Sequence, residues 1–227
     1  MRLNFKFLSV GVFLLFIFIL FSFLVDINLF KQFDFDATVR LQDNIGRRFD
    51  DIFSMFSVLG MFEITSIVLV ALLIFKRSII KGLMAFFIFG TFHIIEIFGK
   101  TVVDNIPPPE FLLRTKRLIE FPQFHVRSEY SYPSGHSGRT IFLSVLILHF
   151  VFQNKSIPRS IKIVVFGGVI VFDFLMLITR VYLGEHWVTD VIGGTILGAS
   201  LALLAGSLYT NKTKLTPILK TISKKTT

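Results

Sequence analysis

The sequence predicts an all-α polytopic membrane bundle of about six transmembrane helices, with one further helical segment lying at the interface on a single face. Three observations predict it. Hydrophobic residues make up 53% of the 227, and 29 residues are Phe. The apolar residues gather into six runs, each close to spanning length. Mean hydropathy is +0.72, more apolar surface than a soluble domain of this length can bury.

The elements follow in order. The first run, 7–25 ("FLSVGVFLLFIFILFSFLV"), is long enough to cross the hydrocarbon. Its length and the lack of an A-x-A site after it distinguish it from a cleaved leader, so a retained helix is expected. Residues 26–55 alternate Phe, Ile and Leu with charge, the pattern of an amphipathic helix at the interface. The second and third spans are expected at 56–75 and 82–99. A long loop, 100–138, follows and carries three prolines at 107–109. The fourth span, 139–153, is short and polar at its start, so it is expected to begin below the membrane surface. The fifth covers 161–179, a short connection 180–187 follows, and the sixth covers 188–209. The Lys-, Thr- and Ser-rich tail from Asn211 is expected to be flexible. Residues 1–227 read as one membrane domain.

Charge orients the bundle. The formal net charge is +9. Arg2 and Lys6 precede the first span, Lys76, Arg77 and Lys81 separate the second and third, and Lys155, Arg159 and Lys162 separate the fourth and fifth. Lys212, Lys214, Lys220, Lys224 and Lys225 follow the sixth. With six spans these segments share one side, and none contains an acid, so that side is cytoplasmic by the positive-inside rule. Both termini are then cytoplasmic in a multi-pass protein of the cytoplasmic membrane. The basic balance fits anionic lipid surfaces and does not point to nucleic acid. Cysteine is absent, which excludes disulfides, thiolate catalysis and Cys-based zinc sites.

The opposite, outer face collects the chemistry. Lys100 ends the third span. Ser134, Gly135, His136 and Arg139 stand in "SYPSGHSGRT" (131–140) at the start of the fourth. Pro133 and Gly135 break what precedes, and Ser134 or Ser137 can cap the helix that follows. A helix N-terminus with free N–H groups is also an anion site. Arg180, His186 and Asp190 stand between the fifth and sixth spans. His186 and Asp190, four apart, share a face if the last helix begins near Glu185. An Asp beside a His fixes its tautomer and leaves the other ring nitrogen free. His136 can protonate a leaving group near neutral pH, and Lys100, Arg180 and Arg139 supply positive charge. Arg139 reads equally well as a head-group contact. Within the spans, Glu96 is placed to pair with Lys100, Asp173 to support Arg180, and His93 to pack through a hydrogen bond.

"KTVVDNIPP" (100–108), "PSGH" (133–136) and "TRVYLGEHWVTD" (179–190) together resemble the three signature motifs of the type 2 phosphatidic acid phosphatase superfamily. The pattern there is Lys-x6-Arg-Pro, Pro-Ser-Gly-His and Ser-Arg-x5-His-x3-Asp. The second matches outright, and the third keeps its spacing with Thr179 in place of Ser. The resemblance implies an enzyme that removes phosphate from a membrane lipid without metal or cofactor. His186 would be the nucleophile that forms a phosphohistidine, Asp190 its orienting partner and His136 the acid for the leaving alkoxide. Lys100, Arg180, Ser134 and the Gly135 backbone would hold the phosphoryl oxygens. Undecaprenyl pyrophosphate, phosphatidylglycerol phosphate, phosphatidate and lipid A phosphate are the substrates it suggests, the first favoured. One position departs: Pro107 stands where the motif has Arg. Arg114, Arg117 and Arg127 lie in the same loop, and Arg127 is the first choice to replace it as a phosphate ligand. Two other readings stay open: a lipid phosphotransferase, and a non-catalytic phosphate-lipid binder. No protein partner is identified.

Overall fold

The structure, a computed structural model, describes residues 3–75, 79–115 and 130–209. Arg127, the tail from Asn211, and Lys76 and Arg77 between the second and third spans lie outside the described residues. Eight α-helices and no strand occur among the described residues: α1 (Phe5–Asp26), α2 (Lys31–Asn44), α3 (Asp50–Ser57), α4 (Phe62–Phe75), α5 (Ile79–Val102), α6 (Gly135–Gln153), α7 (Arg159–Tyr182) and α8 (Val188–Ser207). Five of them, α1, α5, α6, α7 and α8, are long and apolar enough to cross a membrane, and the bent α3–α4 unit passes the same test when its two arms are taken as one span.

α8 and α6 form the centre. The most apolar stretch of α6 is 67% buried and that of α8 61%, against 17% for α1 and 11% for α7, which turn most of their surface to lipid. Small residues allow the two central backbones to meet. A Cβ on Gly198 would fall on the Gly138 carbonyl, and one on Gly194 on the carbonyl of Ser134. Lipid offers no hydrophobic drive between helices, so this backbone approach is what packing can exploit. It also sets the N-termini of α6 and α8 side by side, where the Ser134 amide donates to the Asp190 carbonyl at 3.0 Å.

The second span differs from its expected form. Instead of one helix over 56–75, α3 ends in a 3-10 turn (Val58–Gly60), Met61 is extended, and α4 leaves at 48°. The bend falls inside the apolar run 56–75, which by length reads as one helix. The buried Gly60 carbonyl freed by the break accepts from Arg139 Nε at 3.2 Å. An unpaired carbonyl in hydrocarbon costs several kcal/mol, roughly, so this one bond makes the break tenable.

At the motif end, three helix ends run further than hydropathy predicts, because polar or charged residues stand there. α5 continues to Val102 and α7 to Tyr182, which puts Lys100 and Arg180 in last turns rather than in connections. α6 begins at Gly135, with Ser134 as N-cap and its hydroxyl accepting from the Ser137 amide. The segment after α1 is helical as expected, but α2 presents its polar stripe inward. Asp34, Thr38 and Gln42 are buried, while Phe33 and Phe35 are exposed. Gln42 donates to the carbonyls of Leu112 (2.7 Å) and Tyr182 (2.9 Å), which stitches α2 across the end of the bundle.

Candidate active site

The three motif segments meet at that end. His186 lies just before α8, with Trp187 as N-cap, so the helix starts later than Glu185. The His186–Asp190 contact forms all the same, because Asp190 in the first turn reaches back over the cap. Its Oδ2 accepts from the Trp187 amide (2.9 Å) and lies 3.2 Å from His186 Nδ1. A carboxylate only accepts, so Nδ1 carries the proton and Nε2 is the free nitrogen. Asp190 Oδ1 accepts from the Asn105 amide at 2.8 Å. The Asp190 carboxylate is fully buried, and its orientation is held from three sides.

Asn105 was missed by the sequence reading. The available signal was its place inside the first motif, five residues beyond Lys100.

Arg180 is fully buried. Its Nη1 donates to Glu185 Oε2 at 2.6 Å, and Asp173, read from the sequence as support for Arg180, accepts from Ser144 at 2.6 Å instead. α7 carries Asp173 two turns below Arg180, on a face turned toward α6. Burial pushes the Glu185 carboxyl up, but the Arg180 guanidinium, helped by the Thr115 hydroxyl and His186, outweighs it and holds the group below the ordinary carboxylate range. Nε and Nη2 of Arg180 find no partner among the described residues. Buried guanidinium donors are costly to leave unpaired, so two of them facing one place mark a site for an anion.

Lys100 pairs with Glu96 at 3.1 Å, as its spacing predicts. The same carboxylate takes Arg139 (3.1 Å) and His93 (3.3 Å). Arg139 is thus committed to Glu96 and to Gly60, and it fastens α6 to α5 and to the bend. His136, in the first turn of α6, has the cations Arg180, Arg139 and Lys100 as neighbours, together with His186. Pro107 is exposed. Arg114 donates through Nη1 and Nη2 to the carbonyls of Ile45 and Gln42 at 3.0 Å each, which ties it to the end of α2, and its Nε has no partner among the described residues. No cluster of His, Asp and Glu able to hold a metal occurs among the described residues.

Asp34 closes the site from α2. Its carboxylate accepts from the Thr189 amide (2.9 Å) and hydroxyl (2.6 Å), beside Asp190. Burial, with the Asp190 charge added, pushes its pKa up from 3.8 to about 6 against the pull of the Thr189 donors. The native state therefore keeps a proton that the unfolded chain has released over that interval. The contribution to stability is full below pH 3.8 and is lost as the pH rises through about 6. The wild type is expected to lose thermal stability relative to Asp34→Asn as pH rises from about 4 to about 7. A gap between the two melting curves that stays constant with pH contradicts this.

Residues 80–214 match the PAP2 superfamily. Phosphatidylglycerophosphatase B of Bacillus subtilis (strain 168) is 31% identical over 130 residues, 57% of this chain and 59% of that protein. An undecaprenyl-diphosphatase of Sulfolobus acidocaldarius is 31% identical over 134 residues, 59% of this chain and 58% of that protein. The chain thus spans about three fifths of the length of these curated relatives. The crystal structure of a transmembrane PAP2-type phosphatidylglycerolphosphate phosphatase from Bacillus subtilis superposes with a TM-score of 0.71, covering 90% of this chain and 98% of that one at 23% identity. At that identity the likeness speaks for the fold.

Proposed function

The chain belongs to the PAP2 superfamily, and from that membership and the buried cluster we propose that it hydrolyses a phosphate monoester or pyrophosphate on a membrane lipid, through a phosphohistidine and without metal. The observation that carries the reading is the pair of unpartnered Arg180 donors beside an oriented His186–Asp190 couple. The phosphoryl group sits against Arg180, Lys100, Ser134 and the α6 N-terminus, where donors and charge meet three oxygens. Nε2 of His186 forms the N–P bond as the P–O bond to the lipid breaks, and His136 gives its proton to the departing oxygen. Neutral His136 then takes a proton from water, whose oxygen attacks phosphorus, and the N–P bond breaks to restore His186. Asp190 balances the positive charge that builds on the imidazole. The site faces the outer side of the cytoplasmic membrane, a placement that rests on the Lys and Arg residues of the opposite connections.

Relatives named for phosphatidylglycerophosphate and for undecaprenyl diphosphate make those two lipids the first substrates to try. The test is phosphate release by the purified protein in EDTA from undecaprenyl pyrophosphate, phosphatidylglycerol phosphate, phosphatidate and lipid A phosphate. Release from at least one is expected, and release that needs added metal would contradict the mechanism. Asn105→Ala should lower kcat/KM by about tenfold or more at unchanged melting temperature, because Asp190 loses its Oδ1 anchor. Asn105→Asp, which sets a like charge beside Asp190, should lose more. Both variants turning over like the wild type would remove Asn105 from the account.

A further inference from the structure

A groove of about 320 Å³ lies between α4, α6 and α7, and its lining is almost wholly apolar. On α6 it is lined by Thr140, Leu143, Ser144 and Ile147. These stand four, seven, eight and eleven residues after His136, so His136 heads the same helix face. The stripe extends over roughly 16 Å of helix, about half the thickness of the hydrocarbon. Leu59, from the turn at the α3–α4 bend, lines the same groove. The ring of His136 lies beside the next residue of that turn, Gly60. A Cβ built on Gly60 would meet His136 Cδ2 at 2.9 Å and the Met176 sulfur at 3.1 Å, so the imidazole is wedged between the bend and α7. At the level of Thr140 one buried hydroxyl has no partner among the described residues.

We propose that this groove receives the hydrocarbon chain of the phosphorylated lipid. The inference rests on the phosphatase reading and adds where the lipid lies. In that reaction the proton donor must touch the oxygen that joins phosphate to lipid, so the chain leaves the phosphate on the side of His136. The groove's lining on α6 begins at Thr140, one turn beyond His136, and continues along α6 away from the motif end. The Thr140 hydroxyl, one turn below, meets the oxygen-bearing linkage of a glycerolipid, and the Leu143–Ile147 level meets methylenes.

Two adjacent glycines allow a clean test. Gly168 lines the groove and Gly167 does not, and a Cβ on either meets nothing within 4 Å. Leu at either position also raises helix propensity, so neither variant threatens folding. With dioleoyl and dihexanoyl phosphatidate as substrates, Gly168→Leu should lower kcat/KM for the long-chain lipid by about tenfold or more while short-chain turnover holds. Gly167→Leu should change neither. Equal behaviour of the two variants, or an equal loss on both substrates, overturns the proposal. Occupancy is read without turnover by photo-crosslinking His186→Ala with phosphatidate carrying a diazirine at its chain terminus. Cross-links on α4 and α7 that excess phosphatidate removes and phosphatidylcholine does not are expected. Equal removal by both lipids means that ordinary bilayer lipid fills the groove, and overturns the proposal. Failure of the wild type to release phosphate counts against the phosphatase reading, whereas the cross-link positions judge the groove.

Discussion

His186→Ala should release phosphate from the preferred lipid at least about four orders of magnitude more slowly than the wild type, with its melting temperature little changed. The size follows from what is removed. Asp190 stays oriented by Trp187 and Asn105, and the anion site stays in place, but no nitrogen remains to attack phosphorus. Water would have to attack the lipid phosphate directly, at a position built for Nε2. His186→Asn should be as inactive, because an amide keeps a polar contact to Asp190 without supplying a nucleophile. Phosphate assay over a wide range of enzyme concentration decides this, and a loss of only about tenfold would mean that another group attacks.

Arg180→Lys should cost about 10²–10³ in turnover although the charge is kept. Arg180 performs two tasks at once: Nη1 satisfies Glu185, and Nε and Nη2 are left for the anion. A fully buried ammonium has one head, and the nearby Glu185 carboxylate captures it. A planar fork and a point charge are not interchangeable where two partners must be served from one position. The readout is kcat and KM together with a thermal melt. Near-normal activity in the Lys variant would show that the unpartnered guanidinium donors do not meet phosphate.

How much of this was legible in the sequence differs from residue to residue. The spans were legible because each contains a run of apolar residues, of bilayer length in all but the fourth, and a run needs no partner to be recognised. The meeting of Lys100, Ser134–His136 and His186–Asp190 at one end was legible because six spans fix which connections share a face. Local pairs were legible too, each four apart: Glu96 meets Lys100 along α5, and Asp190 meets His186 by reaching back over the Trp187 cap. What escaped was set by contacts between distant segments. Asn105 reaches Asp190 across the motif end, Asp34 reaches Thr189 from α2, and Arg139 reaches both Glu96 and the carbonyl of Gly60. Asp173 was read as support for Arg180 because it stands seven residues earlier on a similar helix face, whereas the chain turns sharply after Tyr182 and brings Glu185 back to pair with Arg180. Gly184 makes that turn possible. Its φ is +68°, and a Cβ there would strike the Leu112 carbonyl. The bend at Gly60 was missed because it falls inside the apolar run 56–75, whose length alone matches a single span.

The central claim is that phosphate passes through His186. The direct measurement is an alkaline quench of the enzyme during turnover of its lipid substrate, followed by peptide mass spectrometry to locate the phosphoryl group. The account predicts a phosphate on the peptide containing His186, absent from His186→Ala and from Asn-substituted His186. A phosphoryl group on another residue, or turnover with none on the protein, would contradict it.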